Sequence, residues 1–216
     1  MELVTVKTAS VAVRPLFNAL SEAHQVYGAY RIGVFLSTID TEIETMSVES
    51  QREFNDFVGC SKTKKVLADY ASAISNTSSE ILLRALALLF IDVNFFEFSE
   101  QQKIRFVSCT NGIDDLKVEL FIKLASLPKI DIETVYPIYV INHVNFSELN
   151  LKVELDELFS YTEYFLKQGL ILKDPRSEFG ANFHSPKSSD WSICFAISPT
   201  LQRFAALLSK ATYLHG

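Results

Sequence analysis

Apolar residues recur through most of this chain at steps of three and four, the spacing that lines side chains along one side of an α-helix. Leu16, Leu20, Ala23, Tyr27, Tyr30 and Val34 step by 4, 3, 4, 3 and 4. Just before them, Pro15 suits a first helical turn, because the N–H it lacks is one the helix leaves unbonded anyway. The stripe predicts a helix over 16–36, widened by Phe17 and Phe35. Such a stripe serves either to pack a helix on its own core or to pair it with a second helix. Leu16, Leu20, Tyr27, Tyr30 and Val34 are therefore the candidate dimer-interface positions.

Further along, residues 40–50 are acidic and polar and read as a connector or frayed helix. Three capping boxes follow, each a hydroxyl residue with Glu or Gln three places on: Ser50 with Glu53, Thr77 with Glu80, and Ser99 with Gln102. Gly59 is placed to end a short helix bearing Phe54 and Phe57. Residues 62–75 put Val66, Leu67, Tyr70, Ala73 and Ile74 on one face. Residues 78–91 are apolar around nearly the whole circumference, as a helix in the middle of a core must be. A helix over 113–127 is introduced by the turn Asn111-Gly112 and stopped by Pro128. Before it, Phe95, Phe96 and Phe98 crowd a turn between helices, where they either plug the core or form an exposed protein-contact patch.

Beyond Pro128 the pattern changes. Residues 151–168 form another helical face ended by Gly169, and Leu170-Ile171-Leu172 is a short apolar run. Trp191, Ile193, Phe195 and Ile197 alternate with smaller residues, the period of a half-buried strand. Ser198-Pro199 then caps a last helix with Leu201, Phe204, Ala205 and Leu208 inward. The chain thus reads as a helical bundle over 1–128 and an α+β module with a short β-hairpin over 129–216. One further alternation, Leu3, Thr5 and Lys7 against Val4 and Val6, is a possible strand at the start.

Helix, strand, long loop, strand and helix in that order resemble the second half of a winged helix-turn-helix module. "LFSYTEYFLKQGLILKD" is similar to that family's helix-to-wing junction, and "WSICFAISPTLQRFAALL" to its returning wing strand and closing helix. The likeness covers about 132–212, and the whole plan is broadly similar to abortive-infection-type proteins of bacterial mobile elements. The resemblance implies two uses of the module. One is DNA binding, for which Lys152, Tyr161, Tyr164, Lys167, Gln168, Lys173, Arg176 and Lys187 are the candidate contacts. The other is protein contact, with Phe179 and Phe183 in the wing loop joining Phe95, Phe96 and Phe98 as candidates.

Charge decides between these uses. The 216 residues carry a net charge of −6, distributed as −4 over 1–60, +1 over 61–129 and −3 over 130–216. A DNA reader neutralises phosphates with clustered cations, yet 152–168 sets Lys152 and Lys167 against Glu154, Asp156, Glu157 and Glu163. Nucleic acid is accordingly disfavoured, and a protein partner or a second copy of the chain is expected.

Composition narrows the field further. Only 7 Gly and 6 Pro disfavour a turn-dense all-β fold, while 48% hydrophobic content with 17 Phe supplies a core. Of the two most apolar windows, 81–91 is too short to span a bilayer, which takes about 20 residues, and contains Arg84, while 11–36 contains Arg14, Asn18, Glu22, His24 and Arg31, each costly in hydrocarbon. Cys60, Cys109 and Cys194 are odd in number and far apart, as in a reducing cytosol, and the opening residues lack a secretory signal pattern. Four scattered histidines offer no zinc-helix spacing, and neither a phosphate loop nor a nucleophile elbow occurs. The expectation is a cytoplasmic interaction or regulatory protein without catalysis, cofactor or metal.

Overall fold

The computed structural model describes residues 13–59, 63–91, 96–150, 152–176 and 191–214, with the side chains of 13–24, 57, 59 and 63–65 outside that description. Its elements run α1 (Val13–Thr45), α2 (Val48–Gly59), α3 (Thr63–Asn76), α4 (Glu80–Ile91), α5 (Glu100–Cys109) and α6 (Asp115–Ser126). They continue with β1 (Ile138–Asn142), α7 (Asn145–Glu148), α8 (Leu155–Gln168), β2 (Leu172–Lys173), β3 (Ser192–Ala196) and α9 (Pro199–Tyr213). The fold is mainly helical, with one small antiparallel sheet in the order β1-β3-β2.

The all-round apolar helix is central, as its composition requires. Every residue of α4 from Ile81 to Ile91 is buried except Arg84. It packs against α1 on one side and α9 on another, while α6 lies against both α4 and α9. At one end Phe35, Phe54 and Tyr70 gather around Phe90, with Tyr70 and Phe90 ring centroids 5.1 Å apart. A second aromatic group has Phe204 edge-on to Phe106 and 5.5 Å from Phe98.

The helix starts follow the hydroxyls, though not always the expected ones. Ser99 and Gln102 form the reciprocal cap that their spacing predicts. Where Thr77 was the expected cap of α4, Ser79 holds that place, accepting from Leu82 N at 2.9 Å. Thr77 instead accepts from Ser79 N and donates to the Ile113 carbonyl, tying the turn to the α6 approach. Likewise α2 begins at Val48, with Ser47 rather than Ser50 accepting the early N–H. The expected connector at 40–50 is mostly helix, because Ile43 and Met46 continue packing against the core and carry α1 on to Thr45.

In the C-terminal third, β3 is the central strand. Tyr139 of β1 pairs with Phe195 and stacks on it at 5.9 Å. Gln202 of α9 donates to the Tyr139 hydroxyl at 2.7 Å and to the Ala125 carbonyl at 3.2 Å, joining α9, β1 and α6. Gly169 takes the left-handed conformation (φ 74°) that ends α8, as expected. Nothing in the alternation of 128–150 had marked β1 or α7. Helix α6 ends at Ser126, two residues before the expected 128/129 boundary, and buried residues on both sides of that boundary belong to one core cluster. The short alternation at 3–7 lies outside the described residues.

Candidate functional site

Helix α1 has 33 residues and a length of about 50 Å. Its C-terminal part earns its place in the core: Val34, Phe35, Thr38 and Ile39 are buried. Two polar contacts mark where that support ends. Arg31 donates from Nη1 to the Ser75 carbonyl at the end of α3, at 2.6 Å, and the Tyr30 hydroxyl donates to Glu80 at the start of α4. Glu80 holds the Tyr30 phenol above its ordinary pKa by accepting that hydrogen bond. On the N-terminal side of Tyr30, no side chain from Gln25 to Ala29 is buried. The backbone continues as helix for 17 more residues, Val13 to Ala29, or about 25 Å.

Several large apolar side chains between Val26 and Leu36 are exposed. Tyr27 is 62% exposed, Val26 61%, Ile32 51%, Tyr30 50% and Leu36 50%. Among the described residues of α1, Val34, Phe35, Thr38 and Ile39 face the core, and these five apolar side chains do not. Of the expected interface positions, Tyr27 and Tyr30 are exposed, and the side chains of Leu16 and Leu20 lie outside the described residues. Val34 is a correction: at 9% exposure it belongs to the chain's own core, because the stripe changes its role where α3 and α4 begin to cover it. Phe35 is likewise core. Val26, Ile32 and Leu36 were missed, since they fall off the 3/4 stripe; the signal for them was the density of apolar residues around the helix rather than their period.

The phenylalanine turn is not an exposed anchor. Phe98 is buried and stacks at 5.6 Å on the half-buried Phe96, and Arg203 lies over the Phe98 ring at 5.2 Å. The Arg203 guanidinium also donates to the Phe96 and Glu97 carbonyls. The turn therefore plugs the space between α4, α5 and α9. Phe95, Phe179 and Phe183 lie outside the described residues.

Helix α8 presents Asp156, Ser160, Glu163 and Lys167 outward in one stripe stepping by 4, 3 and 4. Two of the expected base contacts point elsewhere. Tyr161 and Tyr164 are half-buried beneath Lys117 of α6, at 4.7 and 5.9 Å from their ring centroids, and the Tyr164 hydroxyl donates to the Asn111 carbonyl. Burial raises the Tyr164 pKa. Lys152, Lys167 and Lys173 are exposed and Gln168 is half-buried. Arg176 is committed to the buried Asp174, which accepts from its Nη2 at 2.7 Å and its Nε at 3.0 Å. Lys187 is outside the described residues.

A cavity of about 290 Å³ opens between α3 and α5, floored by Tyr70, Ala73, Phe90 and Val107, with Asp69, Glu100 and Lys103 among its lining. It holds no nucleophile paired with a base, and no cluster of three metal-ligating residues occurs among the described residues. Burial raises the Cys109 and Cys194 thiols above the ordinary value, outweighing the neighbouring Arg105 and Arg176. Among the described residues, no helix is long and apolar enough to cross a membrane. No family model, curated protein or solved structure matches this chain.

Proposed function

We propose that this chain is a non-catalytic cytoplasmic interaction or regulatory protein that associates through the exposed apolar surface of α1, forming a homodimer. The observation that carries this reading is the run of exposed Val26, Tyr27, Tyr30, Ile32 and Leu36 on one helix. Exposed apolar side chains one turn apart, Val26 with Tyr30 and Ile32 with Leu36, are the kind of surface that in folded proteins marks an interaction site. Light scattering tests the proposal: the expected mass is near twice 24.4 kDa, falling to the monomer value in Tyr27→Glu. A concentration-independent monomer would reject it.

We read 129–216 as a winged-helix-like module used for structure or protein contact. The order α6-β1-α7-α8-β2-β3-α9 and the sheet order β1-β3-β2 support this reading. That same order favours a second reading, a DNA-binding regulator with α8 in the major groove. Against it stands the outward stripe of α8, where Asp156 and Glu163 outnumber Lys167. The first reading predicts no retention on heparin or generic duplex at low salt. Retention that salt reverses and Lys167→Glu weakens would establish the second.

A further inference from the structure

We infer that the cavity between α3 and α5 is a binding site for a small arylalkylamine, a compact aromatic body carrying one protonated nitrogen. The site is separate from the α1 surface and goes beyond the self-association proposed above. Its walls are two helix faces. Val66, Asp69, Tyr70 and Ala73 recur on α3 at helical spacing, and Glu100, Lys103, Ile104, Val107 and Ser108 do so on α5. Ala73 and Ser108 put only small side chains into the space between the faces, and a concavity of about 290 Å³ remains.

The floor is apolar and fixed by the core. The Phe90 ring of α4 lies 5.1 Å from that of Tyr70, and Phe35 and Phe54 pack on Phe90 as well. Tyr70 and Phe90 are buried, so these walls are set by folding and need no ordering when a ligand enters. Ile104 lines the same cavity while 59% exposed, which gives an occupant apolar surface to take from water. Size bounds that occupant. A cavity of about 150 Å³ accommodates benzene, so 290 Å³ suits a body of about twelve non-hydrogen atoms.

Charge within the lining selects its class. Asp69 and Glu100 are the carboxylates of the lining and Lys103 is its cation. Lys103 lies 3.9 Å from Glu100 on the same helix, so its charge is matched inside the cavity wall. Asp69, on the facing helix, makes no ion pair among the described residues. An ammonium group supplies the missing charge, and an aromatic floor favours a cation over an anion. A carboxylate in the same place would meet like charge, and an uncharged body would leave Asp69 unmatched.

Three probes with one ring system test the inference on the full-length chain: tryptamine, 3-ethylindole and indole-3-propionate, which carry a cation, no charge and an anion. Binding is followed by NMR at low salt, through the methyl signals of Val66, Ile104 and Val107 at the cavity and of Val26 and Ile32 on α1. Tryptamine is expected to shift the cavity methyls saturably, about threefold to tenfold more tightly than 3-ethylindole, with indole-3-propionate weakest. Asp69→Asn is expected to bring tryptamine to the level of 3-ethylindole and to leave 3-ethylindole unchanged. Ala73→Phe fills the floor and is expected to abolish binding of all three. Ser108→Trp blocks the cavity from an exposed position and must do the same, which keeps the test decisive if the buried change disturbs folding by circular dichroism. Equal binding of the three probes, or tightest binding of the carboxylate, overturns the amine class. Shifts confined to α1, binding indifferent to Ser108→Trp, or no saturable binding up to the solubility limit overturns the site. None of these outcomes depends on whether the chain dimerises.

Discussion

Asp174 shows how a single residue can be both structural and informative about charge. It is 1% exposed, and Arg176 clamps it through Nε, Nη2 and the backbone N–H. Arg176 holds the Asp174 carboxyl below the usual carboxylate range. Because the folded pKa is the lower one, this contact stabilises the protein above the unfolded carboxyl value of about 4 and loses that effect as pH falls through the folded value. Asp174→Asn is expected to cost about 1–3 kcal/mol at neutral pH, with the gap to wild type narrowing below about pH 4. Urea unfolding at several pH values measures both. The clamp also consumes a cation that the sequence alone leaves available to phosphate. Cys109 and Cys194, with their raised thiols, are expected to alkylate slowly at neutral pH compared with a free thiol, as iodoacetamide labelling followed by mass spectrometry will show.

At the scale of elements, α4 carries the fold. Leu86 is fully buried, and Leu86→Ala is expected to destabilise by about 2–5 kcal/mol, readable as a shifted urea midpoint. The place of α4 at the centre was legible because an apolar circumference has only one physical solution. The Ser99 cap and the Gly169 helix end were legible for a similar reason: each had no local rival. At Thr77 and Ser50 a competing hydroxyl stood two or three residues away, and tertiary contacts decided between them. Helix α7 and strand β1 escaped because a four- or five-residue element has too few positions to establish a period; the partner strand β3 specifies β1 from a distance. For α1 the period correctly predicted a helix and its stripe. It did not reveal where α3 and α4 stop covering that stripe, so Val34, a core residue, was grouped with Tyr27, an exposed one.

For the whole molecule, the distribution of charge and apolar surface matters more than either total. The acidic balance of 130–216 is expressed on the outward face of α8, while Tyr161 and Tyr164 turn inward against Lys117. Among the described residues, α1 carries five exposed large apolar side chains, Val26, Tyr27, Tyr30, Ile32 and Leu36. Lys210 of α9 meets Glu42 of α1 at 3.2 Å, so the C-terminal helix braces the C-terminal part of α1. The proposed self-association would cover these five side chains with material the chain itself supplies. Sedimentation across a wide range of concentrations, with wild type and Tyr27→Lys run in parallel, tests it most directly. The account predicts a wild-type mass near twice 24.4 kDa and a variant shifted toward the monomer with unchanged helix content. A wild type that remains at the monomer mass at every concentration would contradict it.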